Sequence, residues 1–561
     1  MQSLEYRRAR EASQDYRVKR MKENQRLLVA DEAPSSVTDE KMSLNNGISI
    51  IAVPDKQNVK KGAASFEEAI SAAGFGKFQY LLLLAIIPVS WATSIDTSNV
   101  AIILPSAECD LQMSMLQKGI LNAAHFVGMV SSGFLWGYIS DVRGRRTVFL
   151  YGYIADGICN VLSGFSQNFW TLAFFKFSSG FIISGPHASI VTYCSEFYGI
   201  KGRAKIPLII GFSIALGNIV AAALAWMIVP QDWSIVLWDG AFIYNSWRIF
   251  LSLCGAPTLF GVICLSLFPE SPKFLLSRGR TQDALKVFQQ IYRVNTGKPC
   301  EQYPIHDLED ESCNKETTDR LENGKSQKNA IFFYPHLPRL LLVTAIQFGT
   351  MLAANTIRLW QPQLFTILDN FYVADNNVTE GHDLSFCEIL DISANGASAA
   401  TVENSTCVNT VVTESVYINT VIVTGVGSLF LLLASVLQSI LSHKKLLLIF
   451  YGVALFCILA MNWSSSVIVT VILTCLSIGL TNTSVNTILG VTVILFPTSL
   501  RTMAISLVMS AGRTGTTIGN ILFPLLLVYG CLAPMLALAV FVLSKSHLNT
   551  LFEHHVQCTS F

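Results

Sequence analysis

The residues of this sequence whose chemistry needs a reason are charged side chains inside apolar runs. Asp96 lies among Ser94, Thr97, Ser98 and Asn99 in a run otherwise built largely from aliphatic residues. A carboxylate in that setting is either a cation or proton site on a polar helix face that lines a cavity, or a buried, hydrogen-bonded structural acid. Lys176, Asp156, Arg358 and Arg513 occupy comparable runs, and His125 and His187 are further protonation candidates, read as neutral core histidines. A charge near the centre of a bilayer costs about 2.5–3.5 kcal/mol on insertion scales, so each must be paired or face water. Lys176 either does so or snorkels to the surface. Arg513, within Gly512-Arg-Thr-Gly515, either pairs with an acid across a cavity or contacts an anionic solute group. Arg358 is expected to reach the outer interface beside Trp360. Trp226 either walls a ligand site or belongs to an interfacial aromatic belt. Asn355 and Gln363 offer neutral hydrogen bonds to a polar solute.

Composition dictates the elements that carry these residues. The 561-residue chain is 51% hydrophobic and 14% charged, with mean hydropathy +0.47, whereas ordinary soluble domains are about 25% charged. Such a chain cannot cover its own surface in water, which excludes a soluble enzyme, a disordered protein and a collagen-like fibre. With 39 Lys+Arg against 38 Asp+Glu, no bulk basicity points to nucleic acid as a partner. Thirteen cysteines are too sparse for a disulfide scaffold and no metal-type cluster stands out, so neither metal nor cofactor is expected. A span needs ~20 mostly apolar residues. Twelve runs qualify: 79–104, 116–139, 147–166, 169–193, 206–229, 248–268, 339–366, 416–442, 446–463, 467–491, 503–528 and 530–547, numbered spans 1 to 12. Gly530 and Pro534 interrupt the last two. The expectation is an all-α membrane protein: a tail (1–78), a six-helix bundle (79–268), a linker (269–338), a second six-helix bundle (339–547) and a tail (548–561).

Lys and Arg collect after spans 2, 4, 8 and 10, at Arg143, Arg145 and Arg146, at Lys201, Arg203 and Lys205, at Lys444 and Lys445, and at Arg501. The opposite loops are nearly bare; the longest, 367–415, has no Lys or Arg and eight acids. The positive-inside rule therefore puts both termini in the cytoplasm and loop 367–415 in the lumen or outside. Sequons at Asn377 and Asn404 agree with that side. Cys387 and Cys407 share the loop; a bridge between them would close about twenty residues and contribute on the order of 3 kcal/mol, the alternative being two free thiols. No cleavable signal peptide is expected at the N-terminus, and the basic stretch Tyr6–Arg26 reads as a solvated tail. Ser65–Ala73 reads as a short amphipathic helix stopped by Gly74 and Gly76, Thr281–Tyr292 as a helix lying on the bundle, and 298–328 as a polar, mobile stretch.

The clearest motif is Gly137-Tyr-Ile-Ser-Asp141-Val-Arg-Gly144-Arg145-Arg146 between spans 2 and 3. Its glycines permit close helix approach and a tight turn, and its acid sits at a helix end beside arginines. Such a cluster either latches two halves together on one face or merely anchors topology. This G-x-x-x-D-x-x-G-R-R string resembles the signature of the major facilitator superfamily, and Pro269-Glu270-Ser271-Pro272-Lys273 resembles the P-E-S-P-R of its sugar and organic-ion porters. Glu196 with Arg203 resembles their paired acid and arginine. Gly76-Lys-Phe-Gln79, Leu104-Pro-Ser-Ala-Glu108, Phe134-Leu-Trp-Gly137, Ala225-Trp226 and Ser246-Trp-Arg248 are similar to the synaptic vesicle glycoprotein 2 family. The resemblance covers roughly 65–545 and implies two pseudo-symmetric six-helix bundles. It also implies a lysine, Lys176, where an arginine is usual, a family basic position at Arg513, and a peripheral, structural place for Asp156. The departures are as informative. Of an acidic pair expected in span 1, the first position is Thr93 and only Asp96 remains. Leu489 and Val485 stand where an acid and a tryptophan are expected, the second-half turn has become Ser442-His443-Lys444-Lys445, and Ile494 replaces an acid before Pro497.

These readings imply a secondary transporter of a small polar or charged solute working by alternating access, with a coupling ion such as a proton, in a vesicle or plasma membrane. The candidate solute or ion ligands are Asp96, Lys176, Trp226, Asn355 and Arg513; the candidate gate is Gly137, Asp141, Gly144, Arg145, Arg146, Glu196 and Arg203. The competing expectation is a transporter-like scaffold or regulator that binds vesicle proteins without moving a solute. With neither a nucleotide-binding domain nor a catalytic constellation in the sequence, an enzyme is not expected.

Overall fold

The computed structural model describes residues 63–203, 205–240, 242–309, 330–333, 336–375, 384–400 and 412–542. Its helices occupy the twelve expected runs: Lys77–Ala107, Met115–Arg143, Arg145–Ser163, Phe169–Ser195, Ile206–Ile228, Ser246–Ser266, then His336–Asp375, Glu414–Ile440, His443–Met461, Val467–Leu495, Thr498–Leu527 and Leu532–Val542. Spans 1, 5, 6, 7, 8 and 10 are long and apolar enough to cross a membrane by length and composition alone. Span 6 is built from two helices that meet at Gly255, where a Cβ would press on the Gly157 carbonyl of span 3.

The two sextets repeat one packing plan. Span 1 packs on span 5 as span 7 packs on span 11, spans 3 and 4 pair as spans 9 and 10 do, and span 2 meets span 4 as span 8 meets span 10. Between the sextets, span 2 meets span 11 and span 5 meets span 8, which are equivalent contacts under the same exchange, and span 1 meets span 7 on the axis. This is the pseudo-two-fold, two-bundle architecture that the sequence leads one to expect. Each half has its own apolar core, one around Phe149, Tyr153 and Tyr193, the other around Trp360, Leu364 and Phe523. Spans 2 and 4 approach backbone to backbone because a Cβ on Gly128 or Gly180 would overlap Phe177 or His125.

The amphipathic segment forms Phe66–Ala73, where Ser65 and Glu68 make a reciprocal capping box and Gly74 leaves the helix at φ +75°. It lies against a second amphipathic helix, Thr281–Thr296, four residues longer than expected, through Phe66 on Phe288 at 5.8 Å. Asn295 closes the corner by accepting from the Phe78 amide at 2.9 Å. The start of the 298–328 stretch is not loose: Tyr303 is buried and its hydroxyl donates to the Ala69 carbonyl at 2.7 Å, and Leu308 bridges to Ala64. Residues 310–328 lie outside the described residues.

Two features were not legible. Between spans 5 and 6 a hairpin forms from β1 (Ser234–Leu237) and β2 (Phe242–Asn245), with Leu237 opposite Phe242. It turns through Trp238 and Asp239 at φ +50° and +49°, a left-handed conformation rarely adopted by non-glycine residues. The second is a helix, Phe386–Ala400, inside the acidic loop. It corrects the expected cysteine pairing: Cys387 is bonded to Cys531, with Cα atoms 5.2 Å apart, rather than to Cys407. The helix docks on the turn between spans 11 and 12, where Asp391 accepts from the Cys531 amide at 2.7 Å, and that carries the Cys387 sulfur to its partner. Asn377, Asn404 and Cys407 lie outside the described residues.

Candidate functional site

Asp96 does not line a cavity wall; it points into the first bundle. Its Oδ1 accepts from Asn160 Nδ2 of span 3 at 2.8 Å and its Oδ2 from Ser179 Oγ of span 4 at 3.4 Å. Ser179 also donates to Asp156 Oδ1 at 2.8 Å, so two carboxylates share one hydroxyl. Lys176, fully buried rather than snorkelling, donates from Nζ to Asn160 Oδ1 at 3.1 Å. Two acids, one lysine and two neutral bridging residues thus form one network across spans 1, 3 and 4. A lone charge there would be costly to bury; a paired one is tolerated because every charge has hydrogen-bonding neighbours. Asp156, expected to be merely structural, belongs to the same network, and its Oδ2 has no partner. Asn160 and Ser179 were missed, since uncharged polar residues are common in spans and give no signal by themselves.

The turn between spans 2 and 3 is a second constellation. Gly144 adopts φ +96°, and a Cβ there would lie 2.9 Å from Glu270 Oε2 and 3.0 Å from Phe274. Arg145 Nε pairs with Glu196 Oε1 at 3.1 Å, and Glu196 also accepts from Ser271. The Arg146 amide donates to Glu270 at 3.1 Å and its guanidinium to the Ser266 carbonyl at 2.7 Å. The acid and arginine after span 4 do not pair with each other as expected: Arg203 reaches Glu67 of the first amphipathic helix at 2.8 Å. Gly137 is exposed with open space where a Cβ would go, so close helix approach is not its role. All of these contacts stay within the first half. Asp141 lies in the last turn of span 2, which ends at Arg143.

Contacts between the halves lie elsewhere, from mid-span to the face opposite the arginine-rich turns. Lys118, buried at the start of span 2, pairs with Glu108, which also accepts from Gln363 of span 7 at 3.0 Å. Ser106 and Tyr417 join spans 1 and 8 at 2.9 Å. Deeper, Arg358 Nη1 donates to Asn218 Oδ1 of span 5 at 3.3 Å, and Ser98 donates to the same oxygen at 3.1 Å. Arg358 therefore turns into the boundary between the bundles and does not run to an outer interface with Trp360. Arg513 is half-buried on span 11, between Gly512 and Gly515, whose Cβ positions are taken up by Met351 and Phe348 of span 7; His187 Nδ1 lies 3.2 Å from Thr93 Oγ1. Asn355 is committed to packing, donating to Thr516 Oγ1 at 2.8 Å. Trp226 is 42% exposed near the end of span 5, a position that suits an interfacial belt.

The model of the sugar (and other) transporter family matches residues 69–369, more than half of the chain. The chain belongs to that family. Among individual relatives of this family member, synaptic vesicle glycoprotein 2A of Rattus norvegicus is 32% identical over 234 residues. Synaptic vesicle glycoprotein 2C of Homo sapiens is 31% identical over the same length. The alignment to the first covers 42% of this chain and 31% of that relative, so the chain spans about a third of the relative's length. The D-xylose-proton symporter structure superimposes with TM-score 0.60 at 14% identity, over 84% of this chain and 97% of that one. The partially occluded inward-open xylose transporter XylE of E. coli gives 0.59 at 15%, over 85% and 98%. At such identities the likeness shows the fold, a multi-pass major facilitator.

Proposed function

We propose that this family member is a secondary transporter that moves a small polar or charged solute by rocking its two bundles about their boundary, coupled to a proton. The observation that carries the reading is the Asp96–Asn160–Lys176–Ser179–Asp156 network. Ionisable groups inside a membrane bundle commonly mark an ion or proton path, and a proton is the cation that two adjacent carboxylates share most readily. The proton named for the similar symporter structure supports the same coupling here. The Glu108–Lys118–Gln363 and Ser106–Tyr417 contacts serve as the closed gate of one face. On the other face, the Gly144–Arg146 turn with Glu196 and Arg203 braces the first bundle as it moves.

The termini and arginine-rich turns face the cytoplasm in this reading, and Asn377 and Asn404 carry glycans on the other side. A secretory-vesicle membrane is the residence suggested by the relatives' names. Reconstituted protein should take up solute faster under an imposed pH gradient, tested first with D-xylose and then with a panel of amino acids, organic acids and amines. Asp96→Asn should remove the gradient's effect, at least about ten-fold in initial rate, corresponding to ~1.4 kcal/mol. Gradient-driven uptake that survives Asp96→Asn unchanged sinks Asp96 as the coupling residue.

A further inference from the structure

From the hairpin between spans 5 and 6 we infer that β1–β2 is a lipid-binding element, laid flat in the headgroup layer of the membrane face opposite the arginine-rich turns. The inference holds whether or not the protein moves a solute. Position ties the hairpin to that face: it begins at Ser234, shortly after span 5 ends at Ile228, and enters span 6 at Ser246 without a break. Strand β1 is exposed along its whole length, and Trp233 and Trp238, which flank it, are 52% and 78% exposed. Between Met227 and Trp247 the chain has no Lys or Arg, and its charges are Asp232 and Asp239. An apolar edge strand so poor in charge is a liability in water, where it pairs with other chains.

Strand β2 is fastened to the first bundle. Gln167, in the turn between spans 3 and 4, accepts from the Ile243 amide at 3.2 Å and donates to the Ile243 carbonyl at 3.0 Å. Phe165 stacks on Tyr244 at 5.2 Å and on Phe242 at 6.3 Å, and Tyr244 donates to Ser252 of span 6 at 2.9 Å. That leaves β1 as the free edge of a two-stranded sheet. Phe165 also prolongs an exposed stripe on span 3, Ile154, Ile158 and Leu162, whose helical spacing marks the side turned to lipid. The hairpin therefore continues a lipid-facing surface. Trp170 in the first turn of span 4 and Trp226 near the end of span 5 are exposed at the same face, the level at which indoles gather. Two opposing costs set the depth. In hydrocarbon the free edge of β1 would leave backbone N–H and C=O groups without partners; in bulk water its aliphatic side chains and the flanking indoles would stay hydrated. Headgroups and their water satisfy the backbone while the acyl boundary takes the side chains. Phosphatidylcholine fits best, because the two acids repel anionic lipid and a choline ammonium sits favourably over an indole face.

The test uses the full-length protein in phosphatidylcholine vesicles that carry a doxyl quencher either beside the headgroup or at the chain end. The emission of Trp238 is read as the difference between the parent protein and Trp238→Phe, and that of Trp233 from Trp233→Phe. Both positions are exposed and report independently, so a variant that fails to fold leaves the other to decide. Each emission should be quenched more by the shallow label than by the deep one and be sheltered from aqueous iodide. Val236→Asp, which sets a charge on the exposed strand, should lower the shallow quenching by about two-fold or more. Emission open to iodide and untouched by either label places the hairpin in water and overturns the proposal. Emission sheltered from iodide and from both labels assigns the cover to polypeptide, such as a second copy of this chain, and overturns it as well. Stronger quenching by the deep label, or shallow quenching unmoved by Val236→Asp, does the same.

Discussion

At the scale of single residues, the side chains that matter are those whose burial is tolerable only because of a partner far away in sequence. Arg248 is the clearest: buried, it donates from Nη1 at 3.0 Å to the Asp110 carboxylate oxygen that also accepts from Trp247 Nε1 at 2.8 Å, and it stacks over Trp247 at 4.1 Å. The string Ser246-Trp-Arg248, a family resemblance in the sequence, is thereby explained as the dock for the turn between spans 1 and 2. Removing Asp110 would strand a buried guanidinium, so Asp110→Asn should destabilise the protein by about 3 kcal/mol, read as a lowered unfolding temperature in detergent; an unchanged temperature removes the dock. The charges themselves, Asp96, Lys176 and Arg513, were legible because a charge in an apolar run stands out. What they touch was not. Neither Asn160 nor Asp110 carries a local pattern that names its partner, and the direction in which Asp96 points depends on helix rotation, which sequence fixes only loosely when the polar residues Ser94, Thr97, Ser98 and Asn99 spread around the helix.

At the scale of elements, hydropathy and positive charge located the helices, and the glycine stop at Gly74 set the end of the short amphipathic helix at Ala73. Spans 2, 3, 4 and 11 hold Asn122, Asn160, Lys176 and Asn520 inside the protein, away from lipid. The hairpin β1–β2 escaped notice because its short strands run straight into span 6. The turn at Gly144 was legible as a tight one, and the reason it must be glycine is now specific: a left-handed φ and two neighbours, Glu270 and Phe274, where a Cβ would stand. Gly144→Ala should cost about 1–3 kcal/mol in strain and loosen the Arg145–Glu196 pair. Faster amide exchange across residues 143–147, seen by mass spectrometry, is the expected signature, and exchange equal to the parent protein would remove the strain argument.

At the scale of the whole molecule, the two-bundle plan was legible from the six-linker-six rhythm, whereas the covalent cross-link was not. Cysteine spacing favoured a local bridge within loop 367–415. The structure instead ties that loop to the turn before span 12, across 144 residues, a pairing that only the docked helix Phe386–Ala400 makes possible. Peptide mapping without reduction should recover Cys387 joined to Cys531, and Cys531→Ser should lower stability by about 2–5 kcal/mol. Recovery of Cys387 joined to Cys407 would contradict the structure.

The brace around Gly144 has no counterpart after span 8, where Ser442 and His443 begin the next helix and no salt bridge is made among the described residues. The molecule is accordingly lopsided. One sextet is a stiff plank whose amphipathic helices, turns and Pro269–Lys273 segment are bolted together; the other is a lighter leaf, pinned at its far edge by the disulfide. The tie that the second sextet does carry, the Cys387–Cys531 bond, sits at the face opposite the arginine-rich turns, so the two sextets are secured at opposite ends.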